Sequence, residues 1–181
     1  ELPIPARTRH QLAAPTTLGA KIAVWQEMAA RNRQRLVQLR PRLLLVSLHG
    51  AAGTEAALAG QGPALRAAMA AALGLGVPGG PWHAARDGIA ELAGWLSLVT
   101  GGLGKMGLDL IQLGQSEIAE VSAGYGGGSS TMPQKQNPVA AEALVTLARL
   151  NAGDLAGVHQ ALIHAQERDG SALGLEWMLL P

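Results

Sequence analysis

The chain has 181 residues, 48% apolar and 15% charged, with 14 Lys and Arg against 13 Asp and Glu for a net charge of +1. That balance excludes a disordered polar chain and gives neither the basic footprint nor the aromatic platforms of a nucleic-acid binder. Cysteine is absent, so there is no disulfide framework or thiolate metal site, and no run of 18 apolar residues offers a membrane span. Phe is absent, Tyr occurs once, and Ala, Leu and Gly dominate, with Val and Ile too scattered to alternate as strands. The composition therefore predicts an all-α protein. No signal-peptide pattern opens the chain, so a cytoplasmic location is expected. The start at Glu1-Leu2-Pro3-Ile4-Pro5, without Met, and the end at Leu179-Leu180-Pro181 point to a piece of a longer protein.

After Arg7-Thr8-Arg9-His10-Gln11 and Pro15-Thr16-Thr17, a helix is predicted with Thr16 or Thr17 as its cap. Leu18, Ile22, Trp25, Ala29, Leu36, Leu39 and Leu43 keep a three-four spacing broken only at Asn32, and Pro41 should kink or end the helix near Arg40. The arginines from Arg31 to Arg42 read as a solvated face. Gly50-Ala51-Ala52-Gly53-Thr54 reads as a tight turn, and without a following Gly-Lys-Thr it is no phosphate loop. A short Ala-rich helix, Leu65 to Leu73, should stop at the glycines from Gly74 to Gly80.

Pro81-Trp82-His83-Ala84-Ala85-Arg86-Asp87 leads into the longest apolar pattern: Ile89, Leu92, Leu96, Val99, Leu103, Met106, Leu110 and Leu113. Such a seam predicts a coiled-coil-like helix. Continued to Ala123 it would run about 40 residues, roughly 60 Å, which requires partner helices from other subunits. Gly94, Gly101, Gly102, Gly104, Gly107 and Gly114 would sit where helices approach very closely. Glu117 interrupts the seam, as the bundle's end or as a hydrogen-bonded group. The next helix is expected from Val139 to Gln166, with Leu144, Leu147, Leu155, Val158 and Leu162 inward; His159 and His164, five apart, do not form a metal pair.

Between these helices lies Gly126-Gly127-Gly128-Ser129-Ser130-Thr131-Met132-Pro133-Gln134-Lys135-Gln136-Asn137-Pro138. The glycines and serines make a supple arm, and Pro138 at the first helical position with Asn137 as N-cap makes a fixed end. Unpaired N–H groups there carry about half a positive charge, to which Lys135 adds a full one, so a carboxylate should bind and the serines could close over it. A plain Gly/Ser linker gives no reason for the Met-Pro-x-Lys-x-Asn-Pro that ends the arm.

The run from Gly128 to Asn137 resembles the GSSxMPxKxN signature of the fumarase/aspartase superfamily. The resemblance implies a homotetrameric, cofactor-free helical enzyme that makes or breaks a C–O or C–N bond beta to a carboxylate of a small polycarboxylate. It implies Ser129, with Ser130 beside it, as the catalytic hydroxyls, and Lys135 and Asn137 as carboxylate ligands. The segment from Arg7 to Gly19 is similar to the superfamily's RTHxQxAxPTTxG region, which adds Thr8, Arg9 and Gln11 as substrate contacts. Arg9 stands where many relatives have a histidine, and His10 is displaced by one residue, so the histidine's role is not transferred to it.

Pro81-Trp82-His83 with Arg86-Asp87 is similar to the bacterial 3-carboxy-cis,cis-muconate cycloisomerases, as is Glu167-Arg168-Asp169-Gly170-Ser171-Ala172. His83, Arg86, Arg168 and Ser171 are then candidate ligands, although packing at a helix start, pairing of Arg86 with Asp87 or Glu91, and ion pairing at a helix end would also account for them. The resemblance implies that residues 1–181 form the central long-helix bundle of the L-aspartase-like fold, without its flanking N- and C-terminal parts. Adenylosuccinate lyase or another superfamily lyase is the nearest alternative, and a non-catalytic helical oligomerisation module the one from another class.

Overall fold

The computed structural model describes residues 2–122, 124 and 127–180. Gly126 of the loop, Ala123 at the expected helix end, and the terminal Glu1 and Pro181 lie outside the described residues. The elements are β1 (Pro3–Thr8), β2 (Gln11–Thr17), α1 (Leu18–Leu43), α2 (Gly62–Leu73), α3 (Asp87–Leu113), α4 (Val139–Gln160) and α5 (Gly170–Leu179). They fall into two compact units, residues 1–33 with 98–151 and residues 34–97 with 152–181. None of the described helices is long and apolar enough to cross a membrane.

In the first unit the chain forms strands where composition predicted none. β1 and β2 pair antiparallel from Pro3 opposite Thr17 to Thr8 opposite Gln11, with an irregularity between Pro5 and Arg7. Alternating Val and Ile are not needed, because both strands are edges, and an edge tolerates the missing N–H groups of Pro3, Pro5 and Pro15. The two-residue connection, Arg9 at φ 51° and His10 at φ 64°, has the sign pattern of a type I′ turn. The Leu18 N–H donates to the Leu2 carbonyl at 2.9 Å, which ties the hairpin to the start of α1. Thr17 caps that helix, its Oγ1 accepting from the Ala20 N–H at 3.1 Å.

Asn32, the break in the α1 stripe, is buried and donates to the Leu98 carbonyl at 3.4 Å. Trp25 Nε1 donates to Asp109 at 2.8 Å. Along α3 the closest helix approaches involve two of the six expected glycines. A Cβ added at Gly104 would lie 2.7 Å from the Ala148 Cβ, and one at Gly107 would lie 2.7 Å from the Ala141 carbonyl oxygen. At Gly94 and Gly101 it would meet nothing within 4 Å.

α3 does not continue to Ala123; it stops at Leu113. The chain folds back there, and the Glu120 and Val121 N–H groups both donate to the Leu113 carbonyl, satisfying an acceptor that the next helical turn would have used. Ala119, at φ 49°, makes the reversal possible. Glu117 lies exposed in that turn. The leucine seam is only partly buried within this chain: Leu113 is in the core and Ile89, Leu92, Val99, Met106 and Leu110 are half-buried. Ala90, Ala93, Gly104 and Gly107 are buried, while Leu96 and Leu103 remain 37% and 41% exposed.

In the second unit Ala90, Ala93 and Val158 form a core against Leu155, Leu162, Leu179 and Leu180. α1 runs to Leu43, three residues past the expected stop, because Pro41 falls in its final turn; Arg42 Nη1 supplies a donor to the Gln38 carbonyl there. α2 starts at Gly62, with Pro63 in its first turn, and ends at Gly74 in the left-handed region as expected. α4 ends at Gln160 rather than Gln166. The Asp169 carboxylate accepts from the Ala165 N–H at 3.1 Å and also caps α5 through the Ser171 and Ala172 N–H groups, so one side chain holds the turn between two helices.

The glycines yield a paired prediction. Gly107→Ala should destabilise the chain by about 1–3 kcal/mol, because a carbonyl oxygen in the opposing helix must move. Gly101→Ala should stabilise it by up to about 1 kcal/mol through helix propensity. Urea midpoints measure both, and a destabilising Gly101→Ala would show that another helix covers that face.

Candidate active site

The loop before α4 is closed upon itself. Gly128 and Gln136 form an antiparallel bridge, the Asn137 N–H donates to the Gly127 carbonyl at 3.0 Å, and the Lys135 N–H donates to the Met132 carbonyl at 2.9 Å. Gly127, at φ 73°, is needed where it stands, since an added Cβ would run into the Asn137 backbone. Inside the loop Ser129 Oγ accepts from the Thr131 and Met132 N–H groups at 3.3 and 3.1 Å and lies 3.5 Å from Thr131 Oγ1. Two N–H donors on one hydroxyl oxygen favour negative charge on that oxygen.

α4 begins at Val139 as expected, but Pro138 rather than Asn137 stands at the cap: the first turn is closed by the Glu142 N–H donating to the Pro138 carbonyl at 2.9 Å. Asn137 therefore precedes the cap, and Lys135 and Ser130 stand exposed in the loop. The other sequence-predicted group of this unit is the hairpin tip, where Thr8, Arg9 and Gln11 are exposed. Beside it is a cavity of about 220 Å³ lined by Arg7, Arg9, His10, Gln112, Gln115 and Ile118. Ser129, Ser130, Lys135 and Asn137 do not line it. Arg7 is held at 2.7 Å by Glu120, whose hydrogen bond raises the guanidinium pKa further.

In the second unit Arg86 pairs with neither Asp87 nor Glu91. Its Nε and Nη2 donate to the two carboxylate oxygens of buried Glu176 at 2.8 and 2.6 Å, and its guanidinium lies 5.5 Å over the Trp82 ring. Trp82 in turn donates to the Val46 carbonyl at 3.0 Å. His83 is next to Gly53, with both ring nitrogens buried and without a hydrogen-bond partner. Ser171 donates its hydroxyl to Asp169 at 2.6 Å, and Arg168 is exposed.

A family model described as lyase matches residues 1–152. The chain belongs to this lyase family. It is 45% identical over its whole length to a 3-carboxy-cis,cis-muconate cycloisomerase of Pseudomonas aeruginosa, of which it covers 40%. It is 38% identical, over 97% of its length and 39% of the other protein's, to an N-acetyl-S-(2-succino)cysteine lyase of Dickeya dadantii. The crystal structure of 3-carboxy-cis,cis-muconate lactonizing enzyme from Pseudomonas putida superimposes with a TM-score of 0.89 at 41% identity, over 99% of this chain and 40% of that one. The chain thus spans about 40% of the length of these relatives. The expected all-α fold of the fumarase/aspartase superfamily holds, with the hairpin as its one sheet among the described residues.

Within this lyase-family chain the structure also reveals a cluster that sequence reasoning passed over. Buried His49 places Nδ1 3.2 Å from Arg66 Nη1 and 3.5 Å from Glu55 Oε1, and Arg66 is hydrogen-bonded to Glu55. The cluster pins the Gly50–Thr54 turn to α2. Its one signal in the sequence was an arginine on an otherwise Ala-rich helix.

Two predictions come from these ion pairs. Glu176→Ala strands the Arg86 guanidinium in a mostly buried place and should cost about 3–5 kcal/mol in chemical denaturation. Asp169 is held well below the usual carboxyl range by the Ser171 hydroxyl first and by backbone N–H groups after it. A carboxyl with a lowered folded pKa contributes stability above its unfolded pKa and loses it as pH falls toward the folded value. Exchange protection of the Ser171 and Ala172 amides should therefore be constant above about pH 4 and decline below it, and Asp169→Asn should remove that dependence.

Proposed function

We propose that the chain is the central helical part of an enzyme that lactonises 3-carboxy-cis,cis-muconate or a close analogue. A substrate carboxylate oxygen bonds to one end of a conjugated double bond, the π pair moves to the neighbouring carbon, and that carbon takes a proton from Ser129. Atoms balance within the isomerisation, apart from the proton that the serine later recovers from solvent. In the reverse sense Ser129 removes the proton alpha to a carboxylate. Lys135, Asn137 and the start of α4 stabilise the aci-carboxylate charge that develops, the kind of contribution that weighs most in such steps.

The observation that carries this reading is the pair of backbone N–H donors on Ser129 Oγ, in the loop that leads to Lys135 and the start of α4. Similarity to cycloisomerases at 45% and 41% identity supports the substrate. Thr8, Arg9 and Gln11 in the first unit are assigned to substrate carboxylates; in the second unit, taken by itself, exposed Arg168 is a further candidate, and His83, whose ring nitrogens are buried, a weaker one. Arg86 and Ser171 already engage Glu176 and Asp169, so we assign them to holding the fold of the second unit. The exposed seam leucines, Leu96 and Leu103, favour a homotetramer built through α3. A cytoplasmic location fits such a metabolic role.

A second reading, elimination of fumarate from a succinyl-bearing substrate, is favoured by the similarity to succinocysteine lyases. It uses the same loop. The deciding assay follows diene absorbance in the complete protein mixed with 3-carboxy-cis,cis-muconate. Loss of the diene is expected, and Ser129→Ala should lower kcat by at least about 100-fold with helical content intact. Turnover of adenylosuccinate or a succinylcysteine alone would replace the substrate and keep the loop; an Ser129→Ala protein as fast as the parent would overturn the serine's role.

A further inference from the structure

Most contacts described inside the loop before α4 are explained by the turn they close. The Gly128–Gln136 bridge and the N–H groups of Asn137 and Lys135 shape its backbone, and the Thr131 and Met132 N–H groups cap the turn on Ser129 Oγ. The approach of Thr131 Oγ1 to that same oxygen, at 3.5 Å, closes nothing. Thr131 is exposed, so solvent can satisfy its hydroxyl without help from the protein.

Counting lone pairs gives the contact a use. A neutral serine hydroxyl has two lone pairs and one proton. The two N–H groups take both lone pairs of Ser129 Oγ, and the proton is left for another acceptor. Toward a neutral hydroxyl the Thr131 contact is worth little, since its 3.5 Å lies beyond the roughly 2.5–3.0 Å of an ordinary O–H···O bond. Loss of the serine proton reverses this. The oxygen gains a third lone pair while both N–H groups are already placed, and the Thr131 hydroxyl is the neighbouring donor. Hydrogen bonds onto an oxyanion contract to about 2.5–2.7 Å and are roughly twice as strong as neutral ones. The branched Thr131 Cβ restricts the side chain to few rotamers, which keeps the hydroxyl near at low entropic cost.

We propose that Thr131 is the third donor to the Ser129 oxygen, engaged while that oxygen carries the charge its proton leaves behind. The inference rests on the reading of Ser129 as the group that gives or takes the proton. The step balances: the Ser129 O–H bond breaks, the proton goes to the substrate carbon, the electron pair stays on Oγ, and the Thr131 O–H bond donates without breaking. A contact weak toward the hydroxyl and strong toward the oxyanion acts on the transition state and hardly on substrate binding.

The test uses the absence of cysteine from the chain. Ser129→Cys places a single thiol on the same turn, and its ionisation is followed by thiolate absorbance in the 181-residue chain without substrate. An ordinary thiol titrates near about 8.5, and the two N–H groups should bring this one lower. Adding Thr131→Val should raise it again by about half a unit or more, a roughly threefold loss of thiolate at neutral pH, whereas adding Thr131→Ser should keep it low. In the complete protein with its serine, Thr131→Val should lower kcat for the diene about tenfold with KM within about twofold, and Thr131→Ser should recover most of that loss. Thr131 is exposed, so Thr131→Val and Thr131→Ala should both keep the parent's helical content. A thiol titration indifferent to Thr131→Val and Thr131→Ala, or an undiminished kcat in a working enzyme, would overturn the third donor. A thiol that responds to Thr131 in a protein inert toward the diene would uphold the donor while the lactonisation reading failed.

Discussion

The missing side chain of Gly107 is the constraint from which the first unit follows. Because no Cβ stands there, α4 can bring the Ala141 carbonyl against α3, and Gly104 repeats the close approach at Ala148. Ala141 is in the first turn of α4, so the contact at Gly107 decides where that helix begins. The loop that ends there inherits its position from the glycine. A larger residue would displace the helix start, with Pro138, Asn137 and Lys135 attached to it. Glycine costs about 1 kcal/mol against alanine inside a helix, a loss matched or exceeded by the roughly 1–3 kcal/mol of overpacking against a fixed carbonyl.

Arginines in this chain divide by whether a carboxylate already answers them. Arg86 forms a two-point pair with Glu176, Arg7 meets Glu120, and Arg42 meets Glu91, whose carboxyl is held below its usual range by that hydrogen bond. The three pairs differ in weight. Arg42 and Glu91 are about half exposed and largely screened, whereas Glu176 is buried and its removal would strand a charge. Among the described residues Arg9 and Lys135 stand apart from such pairs, both in turns of the first unit. A cation held away from protein carboxylates at the rim of a small cavity or beside a helix start is available to an anionic ligand; one locked in a fork is not.

How much could be read in advance depended on whether the decisive contact was local. The loop from Gly128 to Asn137 carries its own turn chemistry, and the Thr17 cap and the Gly74 stop are settled within a few residues. The end of α3 was not legible, since it depends on Glu120 and Val121 returning to the Leu113 carbonyl, and apolar spacing alone gives no sign of that. The hairpin was missed because its stability comes from pairing and a turn rather than from strand-forming residues. Arg86 chose a partner 90 positions away. The early end of α4 was, by contrast, readable: Asp169 followed by Gly170-Ser171 is a helix-start signal, and it competes with any helix extended to Gln166.

The loop's internal hydrogen bonds alter what its flexibility means for the chemistry. A glycine-rich segment suggests an arm that becomes ordered when ligand arrives, yet the Gly128–Gln136 bridge and the Asn137-to-Gly127 bond close it at the base. Within that closed base, the Thr131 and Met132 N–H groups already point at Ser129 Oγ. Stabilisation of charge on the serine oxygen is then a property of the turn itself, present before substrate binds. Preorganised donors need no reorientation when charge develops, and for that reason they lower a barrier more than donors recruited during the reaction. In the proposed reaction the half charge of the α4 start and the full charge of Lys135 would act on the other partner, the substrate carboxylate. On that proposal one short turn separates two electrostatic tasks along a few residues: Ser129 held by backbone amides, and the substrate carboxylate by the helix start and lysine.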